Sequence, residues 1–183
     1  MLSNEQKKFL LNLARETIRA RLDNCDLDID QPHDDVYDRK TGGFVTLHKN
    51  GQLRGCIGYV IAHKSLFETI IDMANAAAFD DPRFPPVNKT ELPEIDVEIS
   101  ILSELIRINN IEEIEIGRDG LLIRNNFSSG LLLPQVATEW KWDKITFLEQ
   151  TCMKAGLSGN CWKKPDTEIF RFSAEIFSER TKK

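Results

Sequence analysis

The sequence has no apolar run long enough to cross a bilayer. A membrane-spanning helix needs roughly 20 consecutive, mostly apolar residues, and the apolar stretches of this chain are all much shorter. The N-terminus, Met-Leu-Ser-Asn-Glu, also lacks the basic and then apolar pattern of a secretory signal peptide. Together these two absences predict a cytoplasmic protein that does not enter a membrane.

An excess of positive charge is missing too. The chain of 183 residues carries 24 Lys and Arg against 29 Asp and Glu, a formal net charge of −5. Proteins whose main surface binds nucleic acid usually show the opposite balance. The charge therefore argues against nucleic acid as the partner.

Spacing typical of metal sites is absent as well. No two cysteines form a C-x-x-C pair, and the chain has only three histidines. It therefore offers neither a zinc pattern nor the three-cysteine cluster of a radical-SAM enzyme. We predict no metal and no cofactor. The thiols are expected to be reduced, and they belong to Cys25, Cys56, Cys152 and Cys161.

The most informative segment that is present is residues 53–58, Leu-Arg-Gly-Cys-Ile-Gly. On a strand, Arg54 and Cys56 point to the same face because they are two residues apart. A guanidinium next to a thiol lowers the thiol pKa, and a thiolate is a nucleophile or a ligand. Alternatively, Cys56 packs as a small buried side chain. Gly55 and Gly58 indicate a bulge or a close backbone approach.

A hairpin turn precedes this motif. The dipeptide at 50–51, Asn-Gly, lies between two apolar segments and favours a two-residue type I′ turn. Such a turn would place Leu47 opposite Arg54 and Val45 opposite Cys56. Arg54 then lies on a partly apolar face and needs a partner, because an unpaired buried charge is costly.

A proline-rich loop supplies further candidates. Asp81, Arg83 and Phe84 lie among three prolines at the end of a predicted helix. The loop is either a rigid helix stop with an exposed arginine or a preorganised binding site. Glu98, on the polar face of a predicted strand, is either solvated or the partner of Arg54 or Arg83.

The remaining patterns predict an α+β protein with a mostly antiparallel sheet. The hydrophobic and charged fractions, 41% and 29%, are those of a globular domain. Two capping boxes open predicted helices, at Ser3 and at Ser65. Alternating residues predict strands at 94–102 and 167–177, and a strand pair at 111–116 and 121–124.

Five segments in order resemble the AMME chromosomal region (AMMECR-type) domain family, whose prokaryotic members are also called protein A of the AmmeMemoRadiSam system. They are residues 43–47 (Gly-Phe-Val-Thr-Leu), 53–58, 77–86 (Ala-Ala-Phe-Asp-Asp-Pro-Arg-Phe-Pro-Pro), 130–137 (Gly-Leu-Leu-Leu-Pro-Gln-Val-Ala) and 154–157 (Lys-Ala-Gly-Leu). The resemblance implies one domain over residues 1–183, with packed helices and two lobes that form a cleft. The sequence does not locate the lobe boundary.

The resemblance also implies that the recurring motifs meet in the cleft. The candidate catalytic residues are Cys56 and Arg54. The candidate binding residues are Gly55, Gly58, Asp81, Arg83, Phe84 and Gln135.

Two functions stay open at this point. In the first, Cys56 acts on a small anionic substrate that the arginines hold, although none of these motifs contains a histidine to activate the thiol. In the second, the protein is a non-catalytic binding subunit. The family name implies its partners, a Memo-like protein and a radical-SAM enzyme.

Overall fold

The computed structural model describes residues 1–61 and 63–180. Its elements alternate between helices and antiparallel strands, which confirms the predicted α+β class. The helices are α1 (Asn4–Asp23), α2 (Asp35–Asp38), α3 (Leu66–Phe79), α4 (Pro134–Glu139) and α5 (Lys144–Lys154). The strands are β1 (Gly43–Lys49), β2 (Gln52–Tyr59), β3 (Ile95–Leu102), β4 (Ile106–Ile108), β5 (Asp119–Asn125), β6 (Ser128–Leu132) and β7 (Thr167–Ser178).

The chain divides into two compact units. The first comprises Met1–Ile101 and the segment from Glu175 onward, and the second comprises Leu102–Ala174. In the first unit, β1 pairs with β2 on one side and with β3 on the other, so β2 is an edge strand. In the second unit, β5 lies between β6 and β7, and β4 pairs with β7.

Local capping signals open the two long helices of the first unit. Ser3 and Gln6 exchange side-chain to backbone hydrogen bonds at the start of α1, and Ser65 and Glu68 do the same for α3. Both capping boxes were predicted. α3 packs against α1 and against β1 and β2, and the buried apolar side chains between them form the core of this unit.

The second unit has its own core, in which α5 lies on β5 and β6. Asp143 accepts from the backbone N–H of Thr146 and so begins α5. The strand predicted at 111–116 is wrong. Residues Ile111–Glu113 form a 3-10 helix, because Asn110 and Glu113 make a capping box there. The hairpin lies further on, between β5 and β6.

A disulfide joins Cys152 of α5 to Cys161 of the 3-10 helix Cys161–Lys163. The expectation that all four thiols are reduced is therefore wrong. Both residues are buried in the second core, and their Cα atoms are 5.9 Å apart, a separation typical of disulfides. Folding brings the two side chains together across nine positions, which cysteine spacing alone did not suggest.

In the part of the chain that the structure describes, no helix is both long and apolar enough to cross a membrane.

Candidate functional site

The β1–β2 hairpin carries the first motif and contains a bulge. Asn50 and Gly51 have φ angles of 52° and 78°, which form the predicted two-residue turn. The pairing then shifts between Leu47 and His48, so Thr46 lies opposite Cys56, and Leu47 lies opposite Gly55. Arg54 is the extra residue of the bulge. The predicted pairing is therefore wrong beyond the bulge, by one residue.

Close packing accounts for both glycines of the motif. A Cβ atom on Gly55 would lie 2.1 Å from the carbonyl oxygen of Ala77 in α3. A Cβ atom on Gly58 would lie 2.2 Å from the ring of Phe44. Atoms do not approach this closely, so any side chain would force the helix or the ring to move. The expected close backbone approach is confirmed at both positions.

Arg54 pairs with Glu91. Its Nε lies 2.8 Å from Glu91 Oε1 and its Nη2 lies 3.0 Å from Oε2, which is a bidentate pair. Nη2 also donates to the carbonyl oxygen of Pro85, at 2.8 Å. The hydrogen bond from Arg54 is the main reason that the pKa of Glu91 is below its ordinary value. The pair ties the bulge to the loop that follows α3.

Asp81 and Arg83 form a second bidentate pair. Arg83 Nε lies 2.9 Å from Asp81 Oδ1, and Nη2 lies 2.7 Å from Oδ2. The Asp81 side chain is only 2% exposed, whereas that of Arg83 is 50% exposed. Hydrogen bonds from Arg83 outweigh burial and hold the pKa of the Asp81 carboxyl well below its usual range. Asp81 therefore orients the Arg83 guanidinium.

The same pair closes the edge of β2 at Cys56. The backbone N–H of Cys56 donates to Asp81 Oδ2, at 2.9 Å, and Arg83 Nη2 donates to the Cys56 carbonyl oxygen, at 3.1 Å. These are the positions that the carbonyl and amide of a neighbouring strand would take. Two side chains thus replace a strand at this residue.

The Cys56 thiol is half-buried, and its pKa is raised. Burial causes the rise, while a hydrogen bond from Thr46 Oγ1 and the charge of Arg83 offset it in part. The oxygen of Thr46 lies 3.1 Å from the sulfur. The expectation that Arg54 lowers this pKa is wrong, because the Arg54 guanidinium is directed at Glu91 and Pro85 instead.

Phe84 contacts both arginines. Its ring centroid lies 5.9 Å from Cζ of Arg54 and 5.5 Å from Cζ of Arg83, within the range of cation–π contacts. The two ion pairs and this ring fix the proline-rich loop against β2.

Glu98 was predicted to be either solvated or the partner of Arg54 or Arg83, but both arginines pair with other carboxylates. It lies beside Thr46 in the β1–β3 pairing and is buried, so its face is not solvated at this point. Arg54 uses Glu91 instead, and Arg83 uses Asp81. The order of charges along the chain gave no signal for Glu91, which is 37 residues from Arg54.

Gln135, the remaining predicted residue, belongs to the second unit. It lies in the first turn of α4, and its side-chain Oε1 is buried without a hydrogen-bond partner among the described residues. The seven other predicted positions lie in the first unit, at β2 and the loop after α3. The predicted place of Gln135 in a common cleft stays a prediction.

The fold and the site define a class of α+β proteins. In this class an Asp-Pro-Arg-Phe loop is hydrogen-bonded to an edge strand that carries the sequence Arg-Gly-Cys. The chain belongs to the AMMECR1 family, whose model matches residues 11–177.

Its relatives are similar over almost their full length. A protein of Methanothermobacter thermautotrophicus is 46% identical, with 97% of this chain and 96% of the relative covered. Protein TK0174 of Thermococcus kodakarensis is 45% identical over 97% of this chain and 92% of its own. A solved structure, the uncharacterised protein PH0010 of Pyrococcus horikoshii, matches with a TM-score of 0.90 and 41% identity, covering 98% and 94% of the two chains. These names state no activity.

Proposed function

We propose that this protein is a non-catalytic binding subunit that recognises a partner protein through the loop at Arg83 and Phe84. The observation that carries the proposal is that both candidate arginines are already neutralised by internal carboxylates. An arginine held in a bidentate pair attracts a small free anion only weakly, because the carboxylate already neutralises its charge, so binding there needs further contacts such as those of a peptide strand. The competing function is catalysis by Cys56 with Arg54.

The state of the thiol supports the same choice. A nucleophilic cysteine reacts as its thiolate, and activated cysteines have lowered pKa values. Burial raises the pKa of Cys56 instead. The side chain that donates to its sulfur is a threonine hydroxyl, which cannot take up the thiol proton as a general base would.

The exposed half of the Arg83 side chain is the part suited to recognition. Its guanidinium is held in place by Asp81 and Cys56, and it lies near the ring of Phe84. An ordered arginine beside an aromatic ring is the composition typical of residues that dominate interface energy. Because the loop is already fixed, little conformational entropy is lost when a partner binds.

The partners that we propose are a Memo-like protein and a radical-SAM enzyme, after the AmmeMemoRadiSam resemblance of the motifs. We also propose that the three act in the cytoplasm. In this assignment the chain contributes recognition, and one of its partners contributes the chemistry.

Replacing single residues in a reconstituted mixture of the three proteins tests the proposal. Phe84→Ala should weaken binding to a partner by about 2 kcal/mol or more, roughly 30-fold in Kd, and so reduce co-purification. Cys56→Ser should leave both co-purification and the activity of the mixture nearly unchanged. Phe127→Ala is the matched control, because Phe127 is an exposed phenylalanine of the second unit.

Circular dichroism and unfolding curves confirm that each variant is folded before binding is compared. Loss of activity in Cys56→Ser, with co-purification intact, would establish the catalytic alternative. Intact co-purification of Phe84→Ala with both partners would overturn the proposed surface.

A further inference from the structure

The edge of β2 is closed at Cys56 by Asp81 and Arg83 and is open at Gly58, two residues further on. Since Cys56 directs its N–H away from β1, toward Asp81, the alternation of an antiparallel pair directs the N–H and C=O of Gly58 outward as well. Among the described residues, none forms a hydrogen bond to Gly58 on that side. One donor and one acceptor are therefore available to an added strand.

Arg83 lies at the closed end of this opening. Its Nε and Nη2 groups are engaged with Asp81 and Cys56, whereas Nη1 has no acceptor in the part of the chain that the structure describes. Because Nη2 contacts the Cys56 carbonyl, the guanidinium lies about 7 Å along the strand from Gly58, at ~3.3 Å per residue. Nη1 of Arg83 therefore offers two N–H donors to a negatively charged group at this point of the edge.

Apolar side chains lie at the other end of the opening. Tyr59 and Ile61 are 37% and 48% exposed, and they follow Gly58 by one and three residues. They account for two of the four large hydrophobic side chains that are exposed in the described part of the first unit. Exposed apolar residues next to unpaired strand groups are typical of a surface that accepts a strand.

We propose that the Gly58 end of β2 binds the C-terminal segment of a partner protein as an added antiparallel strand, with its terminal carboxylate on Nη1 of Arg83. A strand antiparallel to β2 enters beside Ile61 and runs toward Cys56. It cannot continue past Cys56, because Asp81 and Arg83 occupy that edge. A chain that ends there fits this limit, and its carboxylate complements the free donors.

This inference rests on the proposed binding function and specifies the chemistry of the partner. An internal strand segment would have to turn away at Arg83 and would bring no terminal charge. A second copy of this chain that pairs edge to edge would meet the same block at Cys56. Both alternatives predict results different from those of a C-terminal segment.

The test uses an acetylated tetrapeptide of valine, threonine, valine and isoleucine with a free C-terminal carboxylate, at concentrations up to about 1 mM. In NMR spectra of the ¹⁵N-labelled full chain, it should shift the amide signals of Gly58 and Tyr59 in a saturable way. The same peptide with a C-terminal amide should bind at least about tenfold more weakly, because the charge-assisted hydrogen bonds are lost. The peptide N-methylated at alternate amides should not bind.

Two variants and their controls locate the site. Arg83→Gln should weaken binding of the free-acid peptide to the level of the amidated one. Ile61→Lys should weaken binding of both peptides. Arg107→Gln and Phe127→Lys are the controls, since these residues are an exposed arginine and an exposed apolar side chain in the second unit.

Three results would overturn the inference. They are no saturable shift at Gly58, equal binding of the free acid and the amide, and a concentration-dependent dimer that Ile61→Lys abolishes. If the peptide fails to bind but Phe84→Ala still breaks the reconstituted complex, the proposed function stands and the strand site does not.

Discussion

At the scale of single residues, four members of the Leu-Arg-Gly-Cys-Ile-Gly motif each meet a specific neighbour. Gly55 admits the Ala77 carbonyl, Gly58 admits the Phe44 ring, and Arg54 reaches Glu91. Cys56 contributes a small side chain beside Thr46. These contacts explain the residue types through packing and hydrogen bonding, without a chemical step at the thiol.

The first prediction concerns the reactivity of Cys56. Because burial raises its pKa, Cys56 should react with iodoacetamide more slowly at pH 7 than the exposed Cys25. Its labelling rate should keep rising with pH above the ordinary pKa of a thiol. Thr46→Val removes the hydrogen bond to sulfur and should slow the reaction further. Peptide mapping by mass spectrometry after brief labelling measures both rates.

Faster labelling of Cys56 than of Cys25 at pH 7 would contradict this assignment. It would mean that Arg83 stabilises the thiolate by more than burial disfavours it.

At the scale of elements, the sequence predicts those features whose signals are local. The helices at Ser3 and Ser65 begin at the predicted capping boxes, and Asn50-Gly51 forms the predicted turn. The Asp81–Arg83 pair is local too, since two residues separate its members. Gly55 and Gly58 indicated a bulge or a close backbone approach, but no local pattern placed the extra residue at Arg54. The bulge depends on Glu91 and on the close approach of α3 to Gly55, and tertiary packing alone provides both.

The closure of the β2 edge by Asp81 gives the second prediction. Asp81→Asn replaces a buried, paired carboxylate and should lower the free energy of unfolding at pH 7 by about 2 kcal/mol. The folded-state pKa is depressed, so this stabilisation is complete above the unfolded-state pKa of about 4 and declines as the pH falls below it. The difference between wild type and variant should therefore narrow from pH 5 toward pH 2.

Urea unfolding curves at several pH values measure this difference. The matched control is Asp80→Asn. Asp80 is adjacent but largely exposed, and its contact with Arg21 is long, at 3.6 Å. Its substitution should cost about 0.5 kcal/mol or less. A difference for Asp81→Asn that is the same at pH 3 and pH 7 would show that the charge of Asp81 is not what stabilises the edge.

At the scale of the whole molecule, the chain leaves the first unit after Ile101 and returns to it at Glu175. The returning segment is fixed within the first unit by two carboxylates. Glu175 accepts from the backbone of Leu2, and Glu179 accepts from Val97 and from Arg15. A division of this kind does not follow from local sequence patterns, because it depends on contacts between residues at opposite ends of the chain.

The disulfide belongs to the second unit alone and also bears on where the protein acts. Disulfides persist mainly in oxidising compartments, but intracellular proteins of hyperthermophilic archaea are an exception. The bond is therefore compatible with the proposed cytoplasmic location only if the disulfide resists reduction there. Burial of Cys152 and Cys161 limits access of a reductant.

The final prediction is that the disulfide stabilises the second unit. Closing a loop of about ten residues is worth roughly 2–3 kcal/mol in the chain-entropy model. The double variant Cys152→Ala, Cys161→Ala should lower the free energy of unfolding by about that amount and reduce the melting temperature. In hydrogen exchange, protection should fall in β5 and α5 of the second unit and stay unchanged in α1 and α3 of the first. Cys25→Ala is the control, because Cys25 is a free, exposed thiol and its replacement should change neither measurement. Equal loss of protection in α1 and α3 would mean that the two units unfold as one cooperative structure, and an unchanged melting temperature would show that the bond contributes no stability.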